Sequence, residues 1–170
     1  MPKLIFLNGC INSGKSTVAD RLKAVVPNLA HVEVDALHAF ISWMPIERAI
    51  PLNLENAVFV TRTFLKEGID VVFSYPLSKS DYAHLLTKFE GVDAEFIPIT
   101  LFTTLENAKR NRGTRVLDEW ELERIEWMHR NGLARPGFGE LIDTTGLGID
   151  ATVAAVIELA GLAGFPEEKR

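Results

Sequence analysis

The chain has 170 residues, of which 47% are hydrophobic and 24% are charged. This size and composition fit one folded domain and exclude a disordered chain, which would be more polar. The net charge of −5 leaves no broad basic surface for a nucleic-acid backbone, so no nucleic-acid partner is expected.

Strand and helix patterns alternate along the chain. An apolar run at 3–7 is typical of a strand buried on both faces, and helical periodicity follows from residue 15 to about 26. Further strands are predicted at 30–34, 69–74, 94–102 and 140–145, although Pro98 counts against part of the fourth strand. Further helices are predicted at 36–44, 54–68, 78–89, 104–111, 118–131 and 150–161, with irregular structure at 44–53 because of its two prolines. This alternation predicts a three-layer α/β fold, in which helices cover both faces of a five-stranded parallel sheet, as one domain over 1–170.

The segment GCINSGKS has the spacing G-x-x-x-x-G-K-S of a Walker A motif and lies between a predicted strand and a predicted helix. Its glycines let backbone N–H groups turn towards phosphate oxygens, and the helix N-terminus adds the positive end of its dipole. Lys15 is predicted to bridge the β- and γ-phosphates and Ser16 to bind magnesium. The predicted nucleotide-binding residues of the loop are Gly9, Cys10, Ile11, Asn12, Ser13, Gly14, Lys15, Ser16 and Thr17. The alternative is a glycine-rich turn with an incidental lysine. The context favours a nucleoside triphosphate site, with ATP and Mg²⁺ as cofactors.

Asp35 ends the second predicted strand, at the crevice where ligands of open α/β sheets bind. Its carboxylate is a candidate to accept the proton of an attacking hydroxyl, or to hold magnesium through water. The alternative is that Asp35 caps the following helix, and both roles are compatible. Lys15 and Asp35 are therefore predicted to be catalytic, and Ser16 and Asp35 to hold the metal.

The basic segment KRNRGTR, residues 109–115, predicts a short lid at approximately 110–118. Arg112 and Arg115 are predicted to close over the transferring phosphate and to neutralise its charge during catalysis. Arg110 is a candidate to lie flat on the adenine. The alternative is a solvated basic helix end that complements the helix dipole.

Two further groups of residues are candidates for ligand contacts. Thr144 and Thr145, at the end of the last predicted strand, either contact the adenine through backbone groups or simply form the turn. Candidate walls of the acceptor pocket are Phe40, Trp43, Arg62 and Tyr75. Aromatic residues at such spacings more often belong to a core than to a ligand site.

The segments LNGCINSGKS, VDALHAFISWMP, RGTRV, MHRNG and IDTTG, in this order, resemble the chloramphenicol phosphotransferase family of small P-loop kinases. The resemblance implies ATP-dependent phosphorylation of a hydroxyl on a small molecule and a core of five parallel strands. It also implies that Asp35 matches the family's catalytic carboxylate and that Arg112 and Arg115 match its lid arginines. The third predicted strand departs from the family, because it ends in VVFSYPL without the usual Walker B aspartate. Asp35 is therefore expected to serve both proton and metal.

A second resemblance leaves the acceptor open. DALH followed by PLN, between Asp35 and Asn53, is similar to gluconate kinase, but the next residues, LENAVFV, lack the charged side chains expected there for a sugar acid. The first hypothesis is therefore a kinase acting on a hydroxyl of a small metabolite or antibiotic. The alternatives are a regulatory NTPase switch and a polynucleotide 5′-hydroxyl kinase.

Location and assembly are only partly predicted by the sequence. The apolar run at 3–7 lacks the longer core and cleavage site of a signal peptide, and no apolar run reaches the roughly 18 residues that span a bilayer. A cytoplasmic protein without a membrane partner is expected. The single cysteine, Cys10, gives no disulfide framework, and the oligomeric state is not predicted.

Overall fold

The computed structural model describes residues 1–110 and 116–164. Within these residues, five strands form one sheet in the order β2-β3-β1-β4-β5, and every neighbouring pair is parallel. The strands are β1 (Lys3–Asn8), β2 (Leu29–Glu33), β3 (Asp70–Ser74), β4 (Glu95–Phe102) and β5 (Glu140–Asp143). The helices are α1 (Lys15–Val25), α2 (Ile46–Lys66), α3 (Lys79–Lys88), α4 (Leu105–Ala108), α5 (Glu119–Arg130) and α6 (Ile149–Ala160), with a short 3₁₀ helix at Asp35–Phe40. The predicted α/β fold and its five-stranded parallel sheet are confirmed.

Two hydrophobic layers sandwich the sheet, because successive side chains of a strand point to opposite faces. Ile5 and Leu7 of β1 pack with apolar residues of α1 and α6 on one face. Leu4 and Phe6 pack with apolar residues of α2 and α3 on the other. The three layers predicted from the alternation of strands and helices are therefore present.

The helix α2 begins earlier than expected. Residues 44–53 were predicted to be irregular, but the helix starts at Ile46 and continues through Pro51. A proline inside a helix costs one hydrogen bond and about 3 kcal/mol. The helix compensates by burying one face, since Ala49, Asn53 and Ala57 are all buried. Burial of this face outweighs the local preference of the proline.

Strand β4 also continues through its proline, contrary to expectation. Pro98 lies in register with Phe6 of β1. A Cβ built on Gly139 would lie 2.3 Å from the Pro98 carbonyl oxygen, so this carbonyl faces Gly139. The N and O atoms of a strand residue point to the same side, so the missing N–H of Pro98 also faces away from β1. The β1–β4 ladder therefore loses no hydrogen bond, which explains how the strand accommodates the proline.

The strand order places a crevice above β1. From β1 the chain runs to β2, at one edge of the sheet. From β3 it passes β1 to reach β4, which lies towards the other edge. Ligands of open α/β sheets bind at such a switch point, outside the carboxyl ends of the strands. The segments that follow β1, β2 and β3 therefore meet at the carboxyl ends of the strands. None of the helices within the described residues combines the length and apolarity needed to cross a bilayer.

Candidate active site

The Walker A loop, residues 9–16, is tightly curled between β1 and α1. Gly9, Asn12 and Gly14 have φ angles of 150°, 62° and 94°, a region that favours glycine. A Cβ built on Gly9 would lie 2.4 Å from Ser13 Oγ and 2.7 Å from the Leu101 carbonyl oxygen. The buried Ser13 hydroxyl has no hydrogen-bond partner among the described residues. The loop therefore forms a cradle that requires glycine at its first position and contains an unused polar group.

The first turn of α1 suits an anionic ligand. Gly14 precedes it in the left-handed conformation, no side chain caps the helix, and the first turn contains no acidic residue. The Lys15 ammonium donates hydrogen bonds to the carbonyl oxygens of Gly9, at 2.8 Å, and of Cys10, at 3.0 Å. The cation thus lies across the loop, next to the positive end of the helix dipole. These features fit the phosphates of a nucleotide.

The Walker A loop opens into a cavity of about 430 Å³. Its lining residues are Ile11, Asn12, Gly14, Lys15, Ser16, Thr17, Glu33, Asp35 and Pro76. The structure therefore brings together Lys15, Ser16 and Asp35, which were predicted from the sequence as separate functional residues. Partial desolvation by the crevice walls raises the pKa of the Asp35 carboxyl, although the residue is open to solvent at the mouth. The charge of Lys15 opposes this rise in pKa, and the charge of Glu33 adds to it.

Glu33 is a site residue that the sequence analysis missed. The Ser16 hydroxyl donates a short hydrogen bond to Glu33 Oε1. Glu33 lies two residues before Asp35, so both carboxylates reach the same cavity from the end of β2. The spacing E-x-D was the available signal, but nothing local to it indicated contact with Ser16.

The donor set of the cavity fits a magnesium ion. Ser16, Glu33 and Asp35 offer one hydroxyl and two carboxylates, and oxygen atoms are the ligands that Mg²⁺ prefers. Among the described residues, no cluster of three or more acidic, histidine or cysteine side chains is arranged to hold a metal ion. This is compatible with Mg²⁺ bound to a nucleotide, since that ion takes only one or two protein carboxylates and completes its shell with phosphates and water.

Asn8, also missed from the sequence, anchors the segment after β3 beside the Walker A loop. Its buried side-chain oxygen accepts hydrogen bonds from the amides of Gly9 and Leu77, both at 2.7 Å. Its amide nitrogen donates to the Leu77 carbonyl at 3.1 Å. Asn8 is therefore a positioning residue, which fixes the segment carrying Tyr75 and Pro76 next to the loop.

Tyr75, one of the predicted pocket walls, interacts electrostatically with Asp35. Burial raises the pKa of Tyr75 to about 12, and the charges of Asp35 and Asp81 contribute to the rise. The charge of Arg124, on α5, opposes the rise in the pKa of Tyr75. Arg124 stacks on the Trp127 ring, with its guanidinium carbon 4.2 Å from the ring centroid. The Tyr75 hydroxyl is therefore protonated at neutral pH, since its pKa of about 12 lies far above 7.

The other predicted walls have different locations. Phe40 and Trp43 follow Asp35 in the chain and are 86% and 78% exposed, so neither ring is enclosed in a pocket. Arg62 donates hydrogen bonds to the carbonyl oxygens of Lys88, at 2.7 Å, and Glu90, at 3.4 Å. It lines a cavity at the amino ends of the strands, so the expectation that Arg62 contacts the acceptor is wrong.

The residues predicted to lie beside the adenine, Arg110, Thr144 and Thr145, make hydrogen bonds or ion pairs within the protein. The Arg110 guanidinium pairs with Glu106, while the Arg110 carbonyl accepts a hydrogen bond from Asn12 at 2.9 Å. The Thr144 amide and hydroxyl both donate to the Phe102 carbonyl at 2.8 Å, and Thr145 O accepts from Asn107 at 3.0 Å. These contacts form the turn after β5. The two predicted lid arginines, Arg112 and Arg115, lie outside the described residues.

The Cys10 thiol will react slowly in the native protein. Its side chain is buried against Met128 and Ala134, and burial raises the pKa of the thiol to about 11. At pH 8 its thiolate is on the order of 100-fold scarcer than that of an ordinary cysteine, so alkylation by iodoacetamide should slow at least that much. The intact mass of native and guanidinium-denatured samples measures this directly, since Cys10 is the single cysteine. Equal rates in both samples would contradict the buried location of the thiol.

Solved structures share this fold over almost the whole chain. A sugar kinase from Janibacter is 14% identical and matches with a TM-score of 0.68, covering 96% of both chains. The APS kinase CysC from Mycobacterium tuberculosis, solved with AMPPNP and APS, is 20% identical, with a TM-score of 0.64 and coverage of 93% of this chain and 96% of that one. The fold is that of P-loop kinases. At these identities the likeness shows the fold alone.

The P-loop kinase fold does not fix the acceptor. A chain of the Pnkp1/Rnl/Hen1 RNA repair complex is 16% identical and matches with a TM-score of 0.58, covering 76% of this chain and 46% of that one. The expected absence of a nucleic-acid partner is therefore not supported by the comparisons. No protein-family model matches the chain, and the search of curated proteins found no match. The resemblance to chloramphenicol phosphotransferases stays a prediction.

Proposed function

We propose that this protein is an ATP-dependent phosphotransferase that moves the γ-phosphate to a hydroxyl of a small molecule. One observation carries the proposal. A single cavity contains the Walker A loop with Lys15 and Ser16 and, from the next strand, the carboxylate of Asp35. A phosphate cradle and a candidate base that share one crevice suit phosphoryl transfer to an alcohol better than nucleotide binding alone.

The chemistry assigned to the residues is simple. The acceptor hydroxyl gives its proton to Asp35 while its oxygen bonds to the γ-phosphorus, and the bond between that phosphorus and the oxygen bridging to the β-phosphate breaks, releasing ADP. Lys15 balances negative charge on the β- and γ-phosphates throughout. Mg²⁺, which the Ser16 hydroxyl would hold beside the carboxylates of Glu33 and Asp35, would neutralise phosphate charge when it is bound. Arg112 and Arg115, in a lid at approximately 110–118, are proposed to add charge during transfer.

The acceptor is proposed to be a hydroxylated metabolite or antibiotic. The exposed rings of Phe40 and Trp43, which follow Asp35 in the chain, and the ring of Tyr75 are proposed to offer apolar surface to this acceptor. On the nucleotide side, Arg110, whose carbonyl contacts Asn12, and Thr144 and Thr145, which follow β5, are proposed to lie near the adenine. A single kinase domain, a cytoplasmic location and membership of the chloramphenicol phosphotransferase-like family are parts of the same proposal.

A second candidate is a polynucleotide 5′-hydroxyl kinase, which uses the same chemistry. It is favoured by the fold match to a chain of an RNA repair complex. The net charge of −5 weighs against it, because binding to a nucleic-acid backbone depends on basic residues. Oligonucleotide affinity that falls steeply with salt would favour this candidate over the small-molecule kinase.

The proposal is tested by thermal stability with Mg-ATP against hydroxylated compounds, including chloramphenicol, gluconate, nucleosides and a 5′-hydroxyl oligonucleotide. Compounds that raise the melting temperature are then assayed by coupled ADP release. We expect slow ATP hydrolysis alone and strong stimulation by one class of small alcohol. Nucleotide binding without stimulation by any alcohol would contradict the kinase and would favour a regulatory NTPase that responds to a protein partner.

A further inference from the structure

The carboxylate that contacts Ser16, the proposed magnesium ligand, comes from β2 and not from β3. At the end of β3, where a Walker B aspartate is expected, the chain has Ser74. The Ser74 hydroxyl is buried and lies 2.8 Å from His31 Nε2, and His31 Nδ1 lies 3.4 Å from Asp20 Oδ1. Ser74 therefore takes part in a polar contact beneath the site and supplies no carboxylate to it.

Glu33 lies at the same height in the sheet as Ser74, on the neighbouring strand β2. In the β2–β3 ladder, Glu33 pairs in register with Ser74, and Ser74 pairs in turn with Leu7 of β1. Residues in register on parallel strands point to the same face of the sheet. Here that is the face covered by α1, because Leu29 and Val72, which lie an even number of residues before Glu33 and Ser74 on the same strands, pack against α1. Glu33 is thus displaced sideways from the Walker B position without a change of height or face.

The reach of glutamate offsets part of this displacement. Neighbouring strands are about 4.8 Å apart, and a glutamate side chain is one methylene longer than an aspartate. The observed hydrogen bond from the Ser16 hydroxyl to Glu33 Oε1 shows that the side chain spans the gap. A hydroxyl has one donor hydrogen and two acceptor lone pairs. When Glu33 accepts the hydrogen, both lone pairs of Ser16 Oγ stay available for a metal ion.

We infer that Glu33 replaces the missing Walker B carboxylate, and that it orients the Ser16 hydroxyl for the magnesium ion of a bound nucleotide. This inference rests on the proposed nucleotide site and changes one sequence-based expectation. Asp35 no longer has to accept the proton and also bind the metal. Glu33 orients the metal ligand Ser16, and Asp35 accepts the proton of the acceptor hydroxyl. Glu33 is accordingly a positioning residue for the metal.

The test uses Mn²⁺ as the probe, since its binding to the protein–ATP complex is measured by electron paramagnetic resonance without turnover. Glu33→Gln keeps the size and an acceptor oxygen but removes the charge. We expect this variant to bind Mn²⁺ about 10-fold more weakly, as found when groups that orient metal ligands are replaced. Calorimetry with ATP in EDTA should show that metal-free nucleotide affinity changes by less than about threefold. Glu67→Gln, at the amino ends of the strands, is the matched control and should bind Mn²⁺ as tightly as the wild type does.

A second variant tests the positional argument. Adding Ser74→Asp to Glu33→Gln restores a carboxylate at the same level, one strand nearer to the loop, and should recover most of the lost Mn²⁺ affinity. No recovery in a double variant that keeps the wild-type melting temperature would contradict the equivalence of the two positions.

The outcomes separate this inference from the proposed function. Wild-type Mn²⁺ affinity in Glu33→Gln, or an equal loss of metal-free ATP affinity, overturns the role of Glu33 and leaves the kinase proposal intact. Absence of any ATP binding by the wild-type protein would overturn both.

Discussion

Replacing Asp35 with asparagine will lower acceptor-stimulated ADP release by about 10²- to 10⁴-fold, the range that general bases contribute. The amide keeps the size of the carboxyl group but has no basic oxygen to accept the hydroxyl proton. Asp35 lines the same cavity as Lys15 and Ser16, beside the proposed phosphate site. The expected loss is in kcat, with ATP affinity changed by less than about threefold, because Asp35 is proposed to act on the acceptor.

The stability of this variant separates a chemical effect from a structural one. Desolvation raises the pKa of Asp35, which means that the folded protein disfavours the charged form relative to the unfolded chain. Removing the charge should therefore leave the melting temperature at neutral pH unchanged or slightly higher. Asp93→Asn, at the amino ends of the strands, is the matched control and should keep full activity. Full turnover by Asp35→Asn would assign proton transfer to another group.

The fold was largely predictable because its signals are local. A short apolar run, a Walker A motif and a helical repeat define β1, the loop and α1 without reference to the rest of the chain. The errors at Pro51 and Pro98 have a common cause. Local rules penalise proline, but the buried face of α2 and the contact with Gly139 belong to the tertiary structure. Sequence patterns do not reveal on which side a given strand residue lacks a hydrogen-bonded neighbour.

The site was predictable where a motif defines it and not where register defines it. Lys15 and Ser16 follow from spacing, and Asp35 follows from its place at a strand end. Glu33 contacts Ser16 only because β2 pairs with β3 in a particular register. Asn8 binds Leu77, which is 69 residues away, so its anchoring role depends on packing that spacing cannot indicate.

The conformation of the Walker A loop should be as important as its charged residues. Gly9→Ala will remove most of the stabilisation by Mg-ATP and will lower the free energy of unfolding by roughly 2–4 kcal/mol. Gly9 has a φ of 150°, and its new methyl group would meet Ser13 Oγ at 2.4 Å and the Leu101 carbonyl oxygen at 2.7 Å. The serine side chain can rotate away, but the carbonyl belongs to β4 and cannot. The loop must therefore shift, and its amides then no longer converge on a phosphate.

Gly148→Ala is the matched control for that experiment. Gly148 precedes α6 with a φ of −73°, and a Cβ there meets no atom within 4 Å. Denaturant unfolding should show a change below about 0.5 kcal/mol for this variant, and its melting temperature should respond to Mg-ATP as the wild type does. Comparable nucleotide stabilisation of Gly9→Ala and Gly148→Ala would mean that the phosphates do not bind in the curled loop. The anionic ligand would then have to be sought elsewhere in the crevice, and Lys15 would lose its proposed contact with the β- and γ-phosphates.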